Sequence, residues 1–74
     1  MSNYKFKIEK HIGVIGENPY GWTKELNLVS WNDRPAKYDI REWSSNHEKM
    51  SKGITLDNNE IMNLKLLLNE SEVL

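Results

Sequence analysis

Apolar residues recur at every second position until Asp57 and at every third or fourth position after it. That division sets what the chain can fold into, because side chains alternate sides along a strand but return to one face every 3.6 residues along a helix. The first segment, "YKFKIEKHIGVIG", places Tyr4, Phe6, Ile8, Ile12 and Val14 on one side and Lys5, Lys7, Glu9 and His11 on the other. "WTKELNLVSW" then puts Leu26 and Leu28 inward and Glu25, Asn27, Val29 and Trp31 outward. Asn18-Pro19 and Gly21 mark the loop between the two, which makes them a hairpin. "NDRP" is a second turn, with Pro35 keeping Arg34 out of the helical region. A third strand, "KYDIREW", turns Tyr38 and Ile40 one way and Lys37, Asp39, Arg41 and Trp43 the other. After the polar loop "SSNHEKMSK", Gly53 to Leu56 supply a short fourth strand.

Asp57 and Glu60, three residues apart ahead of an apolar run, form a capping box that starts a helix running to about Asn69. On its wheel Ile61, Leu64, Leu67 and Leu68 make one stripe, while Met62 and Leu66 make another, set off from Ile61 by roughly 100° or more. Packing on one sheet needs a single stripe of about 100°, so this helix has two neighbours to satisfy. The pattern predicts one α+β domain over residues 1–74: four strands followed by a C-terminal helix, β-β-β-β-α.

A chain of 74 residues buries only about 60% of its unfolded surface, which makes help from a second chain an expectation. With no cysteine, neither disulfides nor a Cys-based zinc site supplies that help, and the composition suits a reducing cytosol. The longest apolar run, Leu66–Leu68, falls far short of the ~20 residues of a membrane span, and the N-terminus lacks the apolar region of a signal peptide. We therefore expect a cytoplasmic protein with no membrane partner, association with a nucleoid or nucleus remaining open.

Catalysis has little to stand on. There is no cysteine nucleophile, no His-Glu-x-x-His signature, no phosphate-binding glycine loop, and Gly13 and Gly16 lack the setting of a dinucleotide fingerprint. His11, on a polar strand face, and His47, in a polar loop, read as solvated histidines, without a second ligand at metal-like spacing. Asp39 and Glu42, with Lys52, would suit a metal-dependent nuclease only if they shared a face, and three residues apart on a strand they do not. No metal, no cofactor and no enzyme are expected.

Charge is more informative in its distribution than in its sum of -1. Residues 1–56 carry nine basic against seven acidic residues, and residues 57–74 carry Lys65 against four acids. The polar face holds Lys5, Lys7, His11, Trp31, Lys37, Arg41 and Trp43, cations and indoles interleaved over three strands. A sequence-tolerant single-strand binder needs that set, cations for phosphates and flat rings on which unpaired bases stack at ~1–3 kcal/mol each. Trp22 reads as an edge-packing residue, and Lys49 and Lys52, taken alone, as solubility charges. The alternative is a protein-interaction module that docks a partner through the same Trp and Arg face.

The string "YDIREW", a polar loop, "KGITL" and the capped segment "DNNEIMNLKLLL" together resemble the C-terminal domain of the positive-cofactor-four family of transcriptional coactivators, which reads "IDIREYW…KGISLN" before a helix. The resemblance covers about Leu26 to Asn69. It implies a four-stranded antiparallel sheet plus helix, a homodimer formed through the helices, and grooves for single-stranded DNA; RNA is an alternative ligand and the transcription machinery a candidate partner. It further implies that Arg41 contacts DNA, that Trp43 belongs to the aromatic cluster closing its strand, that Lys52 is the lysine before Gly53, and that Trp31 lies near a base-stacking phenylalanine. The chain departs from the family at "NDRP", which replaces a Lys-Gly-Lys-type turn, and at Ser44, where a second aromatic would fall. The first hairpin is also longer, so we expect basic contacts to have moved to Lys5, Lys7 and Lys24, with Lys49 and Lys52 adding to the site. Met62 and Leu66 are the expected dimer contacts.

Overall fold

The computed structural model describes residues 5–71. Strands β1 (Phe6–Glu17), β2 (Thr23–Trp31), β3 (Lys37–Trp43) and β4 (Ile54–Leu56) form one antiparallel sheet in the order β1-β2-β3-β4, and helix α1 (Asn58–Glu70) comes after them. Tyr4, assigned to the first strand by its pattern, lies outside the described residues.

Local chemistry explains the punctuation. At the β2–β3 turn Asn32 and Asp33 both take positive φ, 52° and 63°, and Arg34 N–H donates to the Trp31 carbonyl at 3.0 Å. Two left-handed residues in a row match the twist of a hairpin, and Asn and Asp tolerate that region better than other side chains do. The helix starts at a complete capping box: Glu60 N–H donates to the Asp57 carboxylate at 2.8 Å, and Asp57 N–H to the Glu60 carboxylate at 2.9 Å. A cap of this kind contributes about 1 kcal/mol, of weight for a helix that packs only lightly. Ile61 and Leu64 are half-buried, and the helix rests on β3 and β4, whereas Leu67 and Leu68, expected in the same stripe, are exposed.

β1 departs from simple alternation. Its pairing with β2 shifts between Ile8 and Lys10, between His11 and Gly13, and between Val14 and Gly16, leaving Glu9, Ile12 and Ile15 as inserted residues. Each insertion reverses the facing of the residues beyond it. His11, opposite Asn27, therefore joins Phe6, Ile8 and Val14 on the side of Trp31, while Lys7, opposite Ser30, and Lys10, opposite Leu28, turn to the other side.

The two faces of the sheet also differ from their sequence reading. Glu25, Asn27, Val29, Asp39 and Trp43, placed outward by alternation, are buried, and the inward Leu26, Leu28, Tyr38 and Ile40 are only half-buried. The alternation is right and the inside-outside assignment is reversed, because this polar side satisfies its own groups.

Candidate nucleic-acid interface

Asp39 and Arg41 stand two apart on β3 and share a face. The Arg41 guanidinium donates from Nε to Asp39 Oδ1 at 2.5 Å and from Nη2 to Oδ2 at 2.7 Å, and Thr55 on β4 adds a hydroxyl donor to Oδ2 at 2.9 Å. A carboxylate with three donors from charged and neutral partners tolerates complete burial. Arg41 Cζ also lies 4.5 Å from the centre of the Trp31 ring. Gly53 makes this packing possible: a Cβ there would run into the Ile40 carbonyl oxygen and Arg41 Cβ. The glycine of "KGITL" thus lets the loop after β3 come down beside Arg41.

Beside that loop opens a groove of about 710 Å³ lined by Trp22, Trp31, Arg41, Lys49, Met50 and Lys52, among others. Trp22 is fixed by the hairpin before β2, where Asn18 Oδ1 accepts from Tyr20 N–H at 2.9 Å and from Trp22 N–H at 3.0 Å, and Asn18 N–H donates to the Trp22 carbonyl at 2.8 Å. Ser44 organises the lysine-bearing loop: its N–H donates to the Lys49 carbonyl, its hydroxyl oxygen accepts from Lys49 N–H, and the same hydroxyl donates to the Asn46 side chain. The groove therefore gathers two indoles and two lysines, the backbone of Lys49 being tied to Ser44, which suits a ligand that is both planar and anionic.

Four of the residues singled out from sequence, Trp31, Arg41, Lys49 and Lys52, meet in this groove. The others do not. Trp43 is fully buried, packed on Phe6 at 5.2 Å and stacked on His47 at 5.7 Å and 27°, so it presents no surface to a ligand; the expectation of an exposed ring closing the row gives way to a core residue. Lys5 and Lys7 line a separate hollow of about 770 Å³ with Arg34, and Lys5 Nζ pairs with Asp33 at 3.3 Å. Lys24, opposite Glu42, sits with Lys7 on the side of the sheet away from Arg41, and Lys37 is exposed opposite Val29. Trp22 is a groove residue that the sequence places at a sheet edge, and position 44, where the family resemblance puts a second aromatic, holds Ser44.

His11 and His47, expected to be solvated, flank a buried carboxylate. His47 Nε2 lies 2.9 Å from Glu25 Oε2, and His11 Nδ1 lies 2.7 Å from Asn27 Oδ1 and 3.5 Å from Glu25 Oε1. Burial pushes the Glu25 carboxyl up, but hydrogen bonds from Thr23, Asn27 and His47, with the charge of His47, outweigh it and hold the group below its ordinary range. No group of three or more acidic or histidine side chains among the described residues is placed to hold a metal ion.

Residues 18–67 match the family model of the transcriptional coactivator p15 (PC4). The chain belongs to that family. PC4-family proteins are transcriptional coactivators that bind single-stranded DNA and are not enzymes. The matched span runs from Asn18, which sets Trp22, through the groove and into α1, so the PC4 match and the groove coincide. A relative, an uncharacterized protein of Treponema pallidum (strain Nichols), is 43% identical over 67 residues, 90% of this chain and 79% of that one. No helix among the described residues is long and apolar enough to cross a membrane.

Proposed function

We propose that this protein binds single-stranded DNA with little sequence preference, as a homodimer, in transcription regulation or DNA maintenance inside the cell. The observation that carries the reading is the groove, lined by the indole of Trp22 and by the Trp31 ring with the Arg41 guanidinium over it, together with Lys49, Lys52 and the acidic Glu48. Lys49 and Lys52 hold phosphates while bases lie against the rings. The hollow with Lys5, Lys7 and Arg34 also holds Glu9 and Asp33 and shares no lining residue with the groove, so it is a secondary place for phosphates of a strand that passes the sheet edge. Lys24 and Lys37 add positive charge outside both.

Self-association is supported by the apolar surface the monomer leaves open. Met62, Leu66, Leu67 and Leu68 are 54%, 50%, 64% and 51% exposed on α1, and the half-buried face with Leu26, Leu28, Tyr38 and Ile40 continues that surface across the sheet. A two-fold contact that joins the α1 helices of two copies is the simplest closed arrangement that covers it.

The test is a titration of labelled oligo-dT and a matched duplex over a range of salt. Unpaired bases reach the rings without the ~1.4 kcal/mol per step that opening a duplex costs, so oligo-dT binds far more tightly. Lys49→Ala and Lys52→Ala each shallow the slope of log K against log salt by about 0.7. Equal affinity for the two ligands would overturn the reading, and salt-independent binding would point to a protein partner.

A further inference from the structure

The chain carries three indoles, and two of them are already engaged. Trp43 is buried between Phe6 and His47. Trp31 carries the Arg41 guanidinium over its ring at 4.5 Å and has Phe6 packed against it at 6.0 Å and 48°. Trp22, by contrast, lines the groove half-buried, and among the described residues no ring or guanidinium lies against it. Its backbone is tied at both the N–H and the carbonyl to Asn18, with Gly21 taking the positive φ of 84° that the tight loop requires. The backbone that carries the indole is therefore fixed by its own hairpin.

We propose that Trp22 is the principal base-stacking platform of this protein, receiving one unpaired nucleobase in the space between its ring and the Trp31–Arg41 pair. The position is unusual in coming from the β1–β2 hairpin, whereas the motif shared with the family places its aromatic at the end of β3, where this chain has the buried Trp43 and the loop-organising Ser44. Burying Trp43 takes it out of the site, and Trp22 restores a ring from across the groove. The phosphates flanking that base then fall to Lys49 and Lys52, which line the same groove. Met50, also in the lining, supplies a polarizable apolar contact for the edge of the base.

This inference rests on the proposed binding of single strands, and its test separates the two. Oligo-dT affinity is measured over a salt series for the wild type, Trp22→Ala and Trp22→Phe, each checked by circular dichroism. Trp22→Ala weakens binding about 5- to 140-fold with the salt slope unchanged, and Trp22→Phe keeps most of the affinity because it keeps a ring. In a second measurement that needs no variant, oligo-dT with single 5-iodo-deoxyuridine substitutions is irradiated on the wild-type protein, and the attachment site is mapped by mass spectrometry. An adduct at Trp22 is expected. A wild type that binds oligo-dT, with a folded Trp22→Ala that binds equally well or with adducts that map only elsewhere, would overturn the role of Trp22 alone. A wild type without affinity for oligo-dT would overturn the parent reading and this one with it.

Discussion

Asp39, with no solvent-accessible surface, grips Arg41 at two points, Oδ1 to Nε at 2.5 Å and Oδ2 to Nη2 at 2.7 Å. Removing one partner of such a pair leaves an uncompensated charge in the interior, at about 3–5 kcal/mol. Arg41→Ala is accordingly expected to lose most of the stability of a domain this small. Urea unfolding checks it. A midpoint within error of the wild type would mean that water replaces the guanidinium at no cost.

Gly53→Ala tests the close approach of the loop to β3. The added methyl meets backbone and Arg41 Cβ rather than a flexible side-chain end, so it cannot be accommodated by a rotamer change. An overpacking cost of about 1–3 kcal/mol is expected, together with weaker oligo-dT binding as Lys49 and Lys52 shift. Thermal melts and a binding titration on the same sample read both effects.

The lowered Glu25 carboxyl predicts an acid limb in the stability curve. A group whose folded value lies below its unfolded one stabilises fully above the unfolded value, about 4.3, and loses that contribution as the pH falls through the lower folded value. Glu25→Gln removes this proton linkage, so its melting temperature should fall less steeply than the wild type's on acidification from about pH 6 to about pH 3. Parallel curves would show that Glu25 binds protons alike in the folded and unfolded chain.

Leu66→Asp bears on the proposed dimer. The side chain is half exposed on α1, so the monomer should tolerate the change, whereas a two-fold contact would bury a pair of carboxylates. Light scattering at micromolar concentration should give twice the monomer mass for the wild type and the monomer mass for the variant. A variant that keeps the wild-type mass would move the interface away from Leu66, and Met62→Asp provides the same measurement one turn earlier.

The strands, the capping box and the β2–β3 turn were legible because each is fixed by a local rule: the period of two, the Asp57–Glu60 spacing, and Asn32-Asp33 before a proline. Residues 25, 27 and 39 misled because polarity was read as exposure. Their burial depends on pairs the linear sequence hides: Glu25 with His47, 22 residues away, and Asp39 with Thr55, 16 residues away. The bulges left almost no trace, since Phe6 and Ile8 alternate normally and the inserted Glu9, Ile12 and Ile15 are ordinary strand residues; only Gly13 and Gly16 hint at an irregular backbone. Trp31, Arg41, Lys49 and Lys52 could be named from composition and motif, but Trp22 could not, because its place in the groove is set by the Asn18 turn.

β1 forms an outer edge of the sheet and carries Ile12, Val14 and Ile15 exposed along it. A long, flat, apolar edge is a template for another chain to add itself strand by strand, the first step towards fibrils. Its three insertions keep β1 from being flat. Twelve residues of β1 span nine of β2, so its outward N–H and C=O groups fall out of step with any regular strand laid against them. The irregularity that brings His11 round beside Asn27 also makes β1 a poor template for a second strand.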